Sequence, residues 1–151
     1  PVMRLHGDRE PRQPQYGTTG GAHCCSGAAN EVWSYGEDVY KICVKYMNIR
    51  EKMRGYTRKL MEEAHLKGTP IMRTLFYEFP EDKECWEIED EYMYGDKYLI
   101  APILEAGVNE RRIYLPVGVQ WKECNCGRIY YGGQYITLTV SLDSMPVFEK
   151  I

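Results

Sequence analysis

Apolar residues recur at steps of three and four along one stretch of the chain: Val39, Ile42, Cys43, Tyr46, Ile49, Met53, Thr57, Leu60, Met61 and Ala64. That period predicts a long amphipathic helix with a wide apolar stripe. Gly55 interrupts the pattern and predicts a kink, and Gly68, followed by Thr69-Pro70, is the expected stop. Ahead of the helix, residues 1–6 read as a short apolar strand. A long Gly-, Pro- and polar-rich loop follows, including Gly17-Thr18-Thr19-Gly20-Gly21. Beyond the helix, Ile71-Met72-Arg73-Thr74-Leu75-Phe76-Tyr77 is a mostly apolar run, which predicts a strand buried on both faces. Pro80-Glu81-Asp82 then opens a short acidic segment, read as helical, that runs to Trp86. Strand, long helix and strand make a βαβ unit with parallel strands. Two parallel strands leave both outer edges unpaired, so the unit is expected to belong to a larger sheet.

From residue 92 onward the helical period is gone. Tyr98-Leu99-Ile100-Ala101, Arg111-Arg112-Ile113-Tyr114-Leu115 and Ile129-Tyr130-Tyr131 are strand candidates. Ile136-Thr137-Leu138-Thr139-Val140-Ser141-Leu142 alternates apolar and polar, the signature of a half-buried antiparallel strand. Leu115-Pro116-Val117-Gly118 and Gly132-Gly133 are turn signals. This region is expected to be a small all-β sandwich. The fold class is therefore α/β plus all-β, with residues 1–91 as the α/β part and residues 92–151 as the sandwich.

Composition narrows the classes. Hydrophobic residues make up 44% and charged residues 27% of the 151 positions, which describes a soluble globular chain. The formal net charge of −3, with both signs interspersed, points away from nucleic acid and from an anionic membrane. No run is long and apolar enough for a membrane-spanning helix. The sequence opens on Pro1-Val2-Met3-Arg4, without an initiating Met or a charged-then-apolar leader. A truncated chain from a cytoplasmic protein is the expectation. The six cysteines are then expected to be reduced thiols: Cys24 and Cys25 are adjacent, and Cys124-Asn125-Cys126 is too tight for an ordinary bridge. A zinc site from His23, Cys24, Cys25, Cys124 and Cys126 does not fit the usual hook spacing, so no metal or other cofactor is expected.

Arg4 and His6 lie two apart on the first strand and share a face, with Met3 and Leu5 on the other. In a barrel of parallel strands they would project inward at the C-terminal end, where such barrels place their active sites. The plainer alternative is a hydrogen-bonded pair at a strand end. Trp33 and Tyr35, just before the long helix, fit either stacking on a sugar ring or core, and Trp86 and Trp121 fit core. The carboxylates Asp8, Glu10, Glu78, Glu81, Asp82, Glu87, Glu89, Asp90 and Glu91 offer many acid/base pairs, and spacing selects none. Glu81-Asp82 reads as a dipole-complementing first turn, and residues 87–91 as a solvated surface. Tyr is frequent, with 13 copies, which suits half-wet clefts and sheet faces.

An ordered series of segments carries a family resemblance. Arg4-Leu5-His6-Gly7, Glu31-Val32-Trp33-Ser34-Tyr35-Gly36 and Gly68-Thr69-Pro70-Ile71-Met72-Arg73-Thr74-Leu75-Phe76-Tyr77-Glu78-Phe79-Pro80 come first. Tyr98-Leu99-Ile100-Ala101-Pro102, Ile113-Tyr114-Leu115-Pro116 and Pro146-Val147-Phe148 follow. Together they resemble the C-terminal third of the catalytic region of glycoside hydrolase family 31, which contains α-glucosidases and α-xylosidases. The resemblance implies the last two β/α units of a (β/α)8 TIM barrel followed by a β-sandwich. It implies a retaining double displacement by two Asp residues, both on earlier barrel strands, so no catalytic residue is assigned in this chain. His6 matches the histidine that hydrogen-bonds the sugar, Arg4 the arginine of the same motif, and Trp33 falls near the cleft rim. The implied partners are an α-linked oligosaccharide or glycoside and the missing N-terminal part of the same barrel. Thr74, Gly55 and Asn125-Cys126-Gly127 depart from the family pattern, none of them in the sugar-binding motif. The rivals are a non-catalytic carbohydrate-binding module and a purely structural fragment.

Overall fold

A computed structural model describes residues 31–151 together with the backbone of two short strands upstream. The chain divides into two compact units, residues 1–58 and residues 59–151. The first strand expected at residues 1–6 lies outside the described residues.

In the first unit, β1 (Gln13–Tyr16) and β2 (His23–Ser26) form an antiparallel hairpin. The stretch read as a structureless loop therefore contains paired strands. A 3-10 turn follows at Val32–Tyr35, and Gly36, at φ +95°, leads into α1 (Glu37–Lys52). Glu37 and Asp38 in the first turn and Arg50 and Lys52 in the last complement the helix dipole. The helix does not run on to a kink at Gly55. It breaks two residues earlier, at Met53 (φ −82°, ψ −2°), and α2 (Arg54–Lys67) begins beyond it. A local cause is at hand: the Thr57 hydroxyl donates to the Met53 carbonyl at 3.0 Å beside the backbone bond, and such back-bonding opens a turn. Gly68, at φ +70° and with its N–H on the Ala64 carbonyl, ends α2 as expected.

The second unit corrects the reading of residues 71–77. Only β3 (Met72–Arg73) is strand; Leu75–Glu78 curls into one helical turn, α3. Met72, Phe76 and Tyr77 are exposed while Arg73 and Leu75 are buried, so the run is not buried on both faces. An ion pair explains the curl. Arg73 donates to the Glu78 carboxylate, with Nε on the Pro70 carbonyl at 2.7 Å. Five residues of strand would hold Arg73 and Glu78 about 17 Å apart. A buried guanidinium needs its partner within reach, so the backbone turns. β3 pairs antiparallel with β4 (Tyr92–Tyr94), and the strand expected to run parallel to it, at residues 1–6, lies outside the described residues. Every strand pair among the described residues is antiparallel.

The remaining strands are β5 (Tyr98–Ile100), β6 (Glu110–Leu115), β7 (Gln120–Glu123), β8 (Ile129–Tyr131), β9 (Gln134–Thr139) and β10 (Val147–Lys150). Six strands form one sheet in the order β3-β4-β5-β10-β7-β8, and β6 pairs with β9 in a second. Ile113 and Leu115 of the small sheet share one core with Met93, Leu99, Trp121 and Phe148 of the large one, all fully buried. This is the sandwich-like arrangement expected for the C-terminal region. β9 keeps its alternation, with Ile136 and Leu138 against the core, but it stops at Thr139. Beyond it, Ser141 and Ser144 close a turn that leaves Leu142 exposed.

Two glycines behave oppositely. A Cβ on Gly132 would lie 2.0 Å from the Pro116 carbonyl oxygen and 2.9 Å from that of Val119, whereas one on Gly55 meets nothing within 4 Å. Gly132→Ala should lower stability by about 3 kcal/mol. Gly55→Ala, inside α2, should raise it by up to about 1 kcal/mol. Urea unfolding of the two variants checks this, and similar effects in both would refute the turn packing.

Candidate functional site

Of the three residues expected to meet a sugar, the structure places one. Arg4 and His6 lie outside the described residues. Trp33 sits in the 3-10 turn at Val32–Tyr35, and its side chain is 70% exposed. Val32 beside it is buried, so the turn is anchored by one residue and displays the next. The Ser34 backbone N–H and hydroxyl both donate to the Glu31 carbonyl, at 2.9 and 2.6 Å, and hold the turn. Tyr35 is 41% exposed. Among the described residues Trp33 is therefore not a core side chain. Trp121 is core, with its indole N–H on the Pro116 carbonyl at 3.0 Å. Trp86 is not core: it is 56% exposed and stacks on Phe76, ring centroids 4.7 Å apart.

The second unit contains a buried acid cluster that sequence reasoning missed. Asp82 caps the 3-10 turn at Lys83–Trp86, accepting from the Glu84 N–H at 3.2 Å. It also accepts from the Tyr114 hydroxyl at 2.9 and 3.1 Å and from the Val117 N–H at 2.9 Å. The expected role at a helical first turn is met, but by a buried carboxylate that also grips β6 and the turn beyond it. Glu84 in turn accepts from the Tyr135 hydroxyl of β9, and that bond is the chief reason the Tyr135 phenol is pushed up to about 12.

Glu91 corrects the reading of residues 87–91 as a solvated run. Glu87 and Glu89 are exposed, but Glu91 is buried and accepts from the Tyr114 N–H at 2.8 Å. Its Oε2 has no hydrogen-bond partner. Burial pushes its pKa up to about 7, against the lowering effects of that N–H and of Arg111. Arg111 itself is held by the Asp90 carboxylate at 2.6 Å and by the Asp90 and Pro102 carbonyls. The signal was period two: Glu91 shares a face with buried Met93. Burial and neighbouring Asp82 push the Cys85 thiol up to about 12, so it is no nucleophile.

Glycoside hydrolysis needs two carboxyl groups facing one glycosidic bond. Asp82 has both oxygens engaged by protein donors, and Glu91 is buried. A cavity of about 390 Å³ is lined by Gly118, Val119, Gln120, Tyr131, Gly132 and Ile151, with no carboxylate side chain. No acid/base pair across a cleft is formed among the described residues. The cluster instead holds loop, turn and strand together.

The sequence model of the glycosyl hydrolase family 31 C-terminal domain matches residues 68–150. The chain belongs to glycosyl hydrolase family 31. The matched residues run from the end of α2 through all strands of the sandwich. A solved α-xylosidase from a soil metagenome, in complex with xylose, superposes with a TM-score of 0.92 at 45% identity, covering 99% of this chain and 22% of that one. Alpha-glucosidase 2 of Bacillus thermoamyloliquefaciens is 36% identical over 129 residues, 85% of this chain and 16% of that enzyme. The alpha-xylosidase of Saccharolobus solfataricus is 26% identical over 150 residues, 99% of this chain and 18% of that enzyme. The chain thus spans about a fifth of the length of these relatives.

The raised acid of Glu91 sets a pH dependence. Its carboxyl goes from an ordinary 4.5 to about 7 on folding, so the folded state holds the proton more tightly. Stability should be full below pH 4.5, fall as pH rises toward 7, and level off above it, by about 3 kcal/mol in all. Glu91→Gln should abolish that slope. Urea unfolding between pH 4.5 and 8 tests this, and parallel profiles for the two proteins would refute it. Tyr114→Phe, which strips a donor from buried Asp82, should cost about 1–3 kcal/mol in the same assay.

Proposed function

We propose that this chain is the C-terminal part of a retaining α-glycoside hydrolase acting on α-xylosides or α-glucosides. The observation that carries the reading is the match of almost the whole chain, at 45% identity, to about a fifth of an α-xylosidase with bound xylose. In this reading His6 hydrogen-bonds the sugar, Arg4 orders the edge of that site, and Trp33 stands at the rim. The nucleophilic Asp and the acid/base Asp lie in the part of the enzyme that this chain does not span. That fits the described carboxylates, which are tied into structure or exposed without a partner across a cleft. In this reading the residues before 68 belong to the end of a (β/α)8 barrel, and β3 to β10, which share one core and fall within the matched domain, to its sandwich.

An exposed apolar face supports a covered position within a larger enzyme. Met72, Phe76, Tyr77 and Trp86 are all exposed on the second unit, with Phe76 and Trp86 stacked. Surfaces of this kind mark interfaces. Cys43, Cys85, Cys124 and Cys126 are free, as a cytoplasmic enzyme's would be. The second reading is a non-catalytic carbohydrate-binding module. The small antiparallel sandwich at the C-terminal end is compatible with it; the family match, to a hydrolase domain, weighs against it.

The chain alone should show no turnover of p-nitrophenyl α-xyloside or α-glucoside. Turnover abolished by a substitution within the chain would overturn the proposal. In the complete enzyme, His6→Ala should lower kcat/KM roughly a hundredfold, the cost of a lost sugar hydrogen bond, with a smaller loss for Trp33→Ala. Steady-state kinetics on the two substrates measures both, and an unchanged His6→Ala enzyme would favour the binding-module reading.

A further inference from the structure

Strand register sets three side chains in a row on the outer face of the large sheet. Trp121 of β7 points into the core, so its neighbour Gln120 points away from it. Gln120 lies opposite Tyr131 of β8. On its other side it exchanges both backbone bonds with Ile151, just beyond β10, at 3.3 and 3.0 Å. Ladder bonds join Val119 to Gly132 and Glu123 to Arg128, so by alternation Gln120 and Tyr131 form a non-hydrogen-bonded pair. Opposed side chains come closest at such pairs, with Cα atoms about 4.5 Å apart. Tyr131 is 72% exposed, and Ile151 is exposed as well. Gln120 is half-buried between them, and its side-chain amide has no hydrogen-bond partner among the described residues. Gly118 and Gly132 present bare backbone beside the row. With Val119 they complete the lining of the cavity of about 390 Å³.

The lining selects a class of ligand. No charged side chain borders the cavity, so it offers no partner to a phosphate, a metal ion or an acidic peptide. It offers an aromatic face from Tyr131, an aliphatic wall from Val119 and Ile151, and an amide that both donates and accepts. A sugar ring has a face of C–H groups and a rim of hydroxyls that both donate and accept. The Tyr131 ring suits the face, and the Gln120 amide beside it suits the rim. The volume falls in the range of small-molecule sites. We infer that the row Ile151–Gln120–Tyr131 holds a neutral oligosaccharide, in a site built from second-unit residues alone. Oligosaccharide as the ligand rests on the hydrolase reading, whereas the cavity and its row do not.

Titration of the 151-residue chain with maltotriose, followed by NMR of the backbone amides, tests the site. Saturable shifts centred on Gln120, Tyr131 and Gly132 are expected. Tyr131→Ala removes the platform, and Gln120→Leu keeps the bulk but removes the amide; each should weaken binding at least tenfold. Tyr131→Phe keeps the ring and should bind like the parent. Amide spectra unchanged away from the cavity show that each variant is folded. No shift at these residues at tens of millimolar sugar overturns the proposal. Parent affinity in Tyr131→Ala or in Gln120→Leu overturns it too. His6→Ala should keep the binding. Loss there assigns the sugar to the first unit, which overturns this site and leaves the hydrolase reading standing. Failure of the hydrolase reading is read separately, from the kinetics of the complete enzyme.

Discussion

A single buried carboxylate organises the second unit. Asp82 accepts hydrogen bonds from the Glu84 and Val117 N–H groups and from the Tyr114 hydroxyl. Those donors come from the 3-10 turn at Lys83–Trp86, from the turn after β6 and from β6 itself. A buried charge is tolerated only when its lone pairs are met, so the three segments are held in one arrangement. Tyr114 transmits the constraint further. Its backbone N–H meets Glu91 at the entry to β4, and its ring packs on Tyr135 of β9, centroids 5.0 Å apart. The small sheet, the connecting segment and the start of the large sheet are thereby coupled through one tyrosine and two acids.

Elements whose character is written in local period were legible in the sequence. The helical stripe gave α1 and α2, short β-prone runs near turn signals gave β5, β6 and β8, and alternation gave most of β9. The strands that escaped, β1, β2, β4, β7 and β10, are three or four residues long. β7 and β10 carry Lys122, Glu123, Glu149 and Lys150, so too few apolar positions recur to show a period. Residues 71–77 misled because hydropathy weighs each side chain alone. The deciding feature was a pairing between Arg73 and Glu78, five residues apart. Asp82 was visible as a cap but not as a hub, because Tyr114 lies 32 positions away.

The candidate site was legible mainly through resemblance. A lone Trp before a helix has no periodic signature; core is its default reading, and the exposure of Trp33 sets that default aside. Alternation predicts a shared strand face for Arg4 and His6, but alternation does not name a sugar. Residues that the resemblance assigns to the substrate all fall in the first unit, while Asp82 and Glu91 of the second accept from protein donors.

The place of β10 in its sheet has a consequence for how the chain is made. β10 is the last of the sheet's strands in the chain, yet it lies between β5 and β7. Its Phe148 opposes Leu99 on one side and Glu123 on the other. During synthesis, β3-β4-β5 and β7-β8 emerge as two separate ribbons with raw inner edges. They can join only when β10 has emerged in its turn and slides between them. Such non-local closure is slow and leaves sticky edges waiting, so the sheet is most vulnerable to aggregation until β10 is in place.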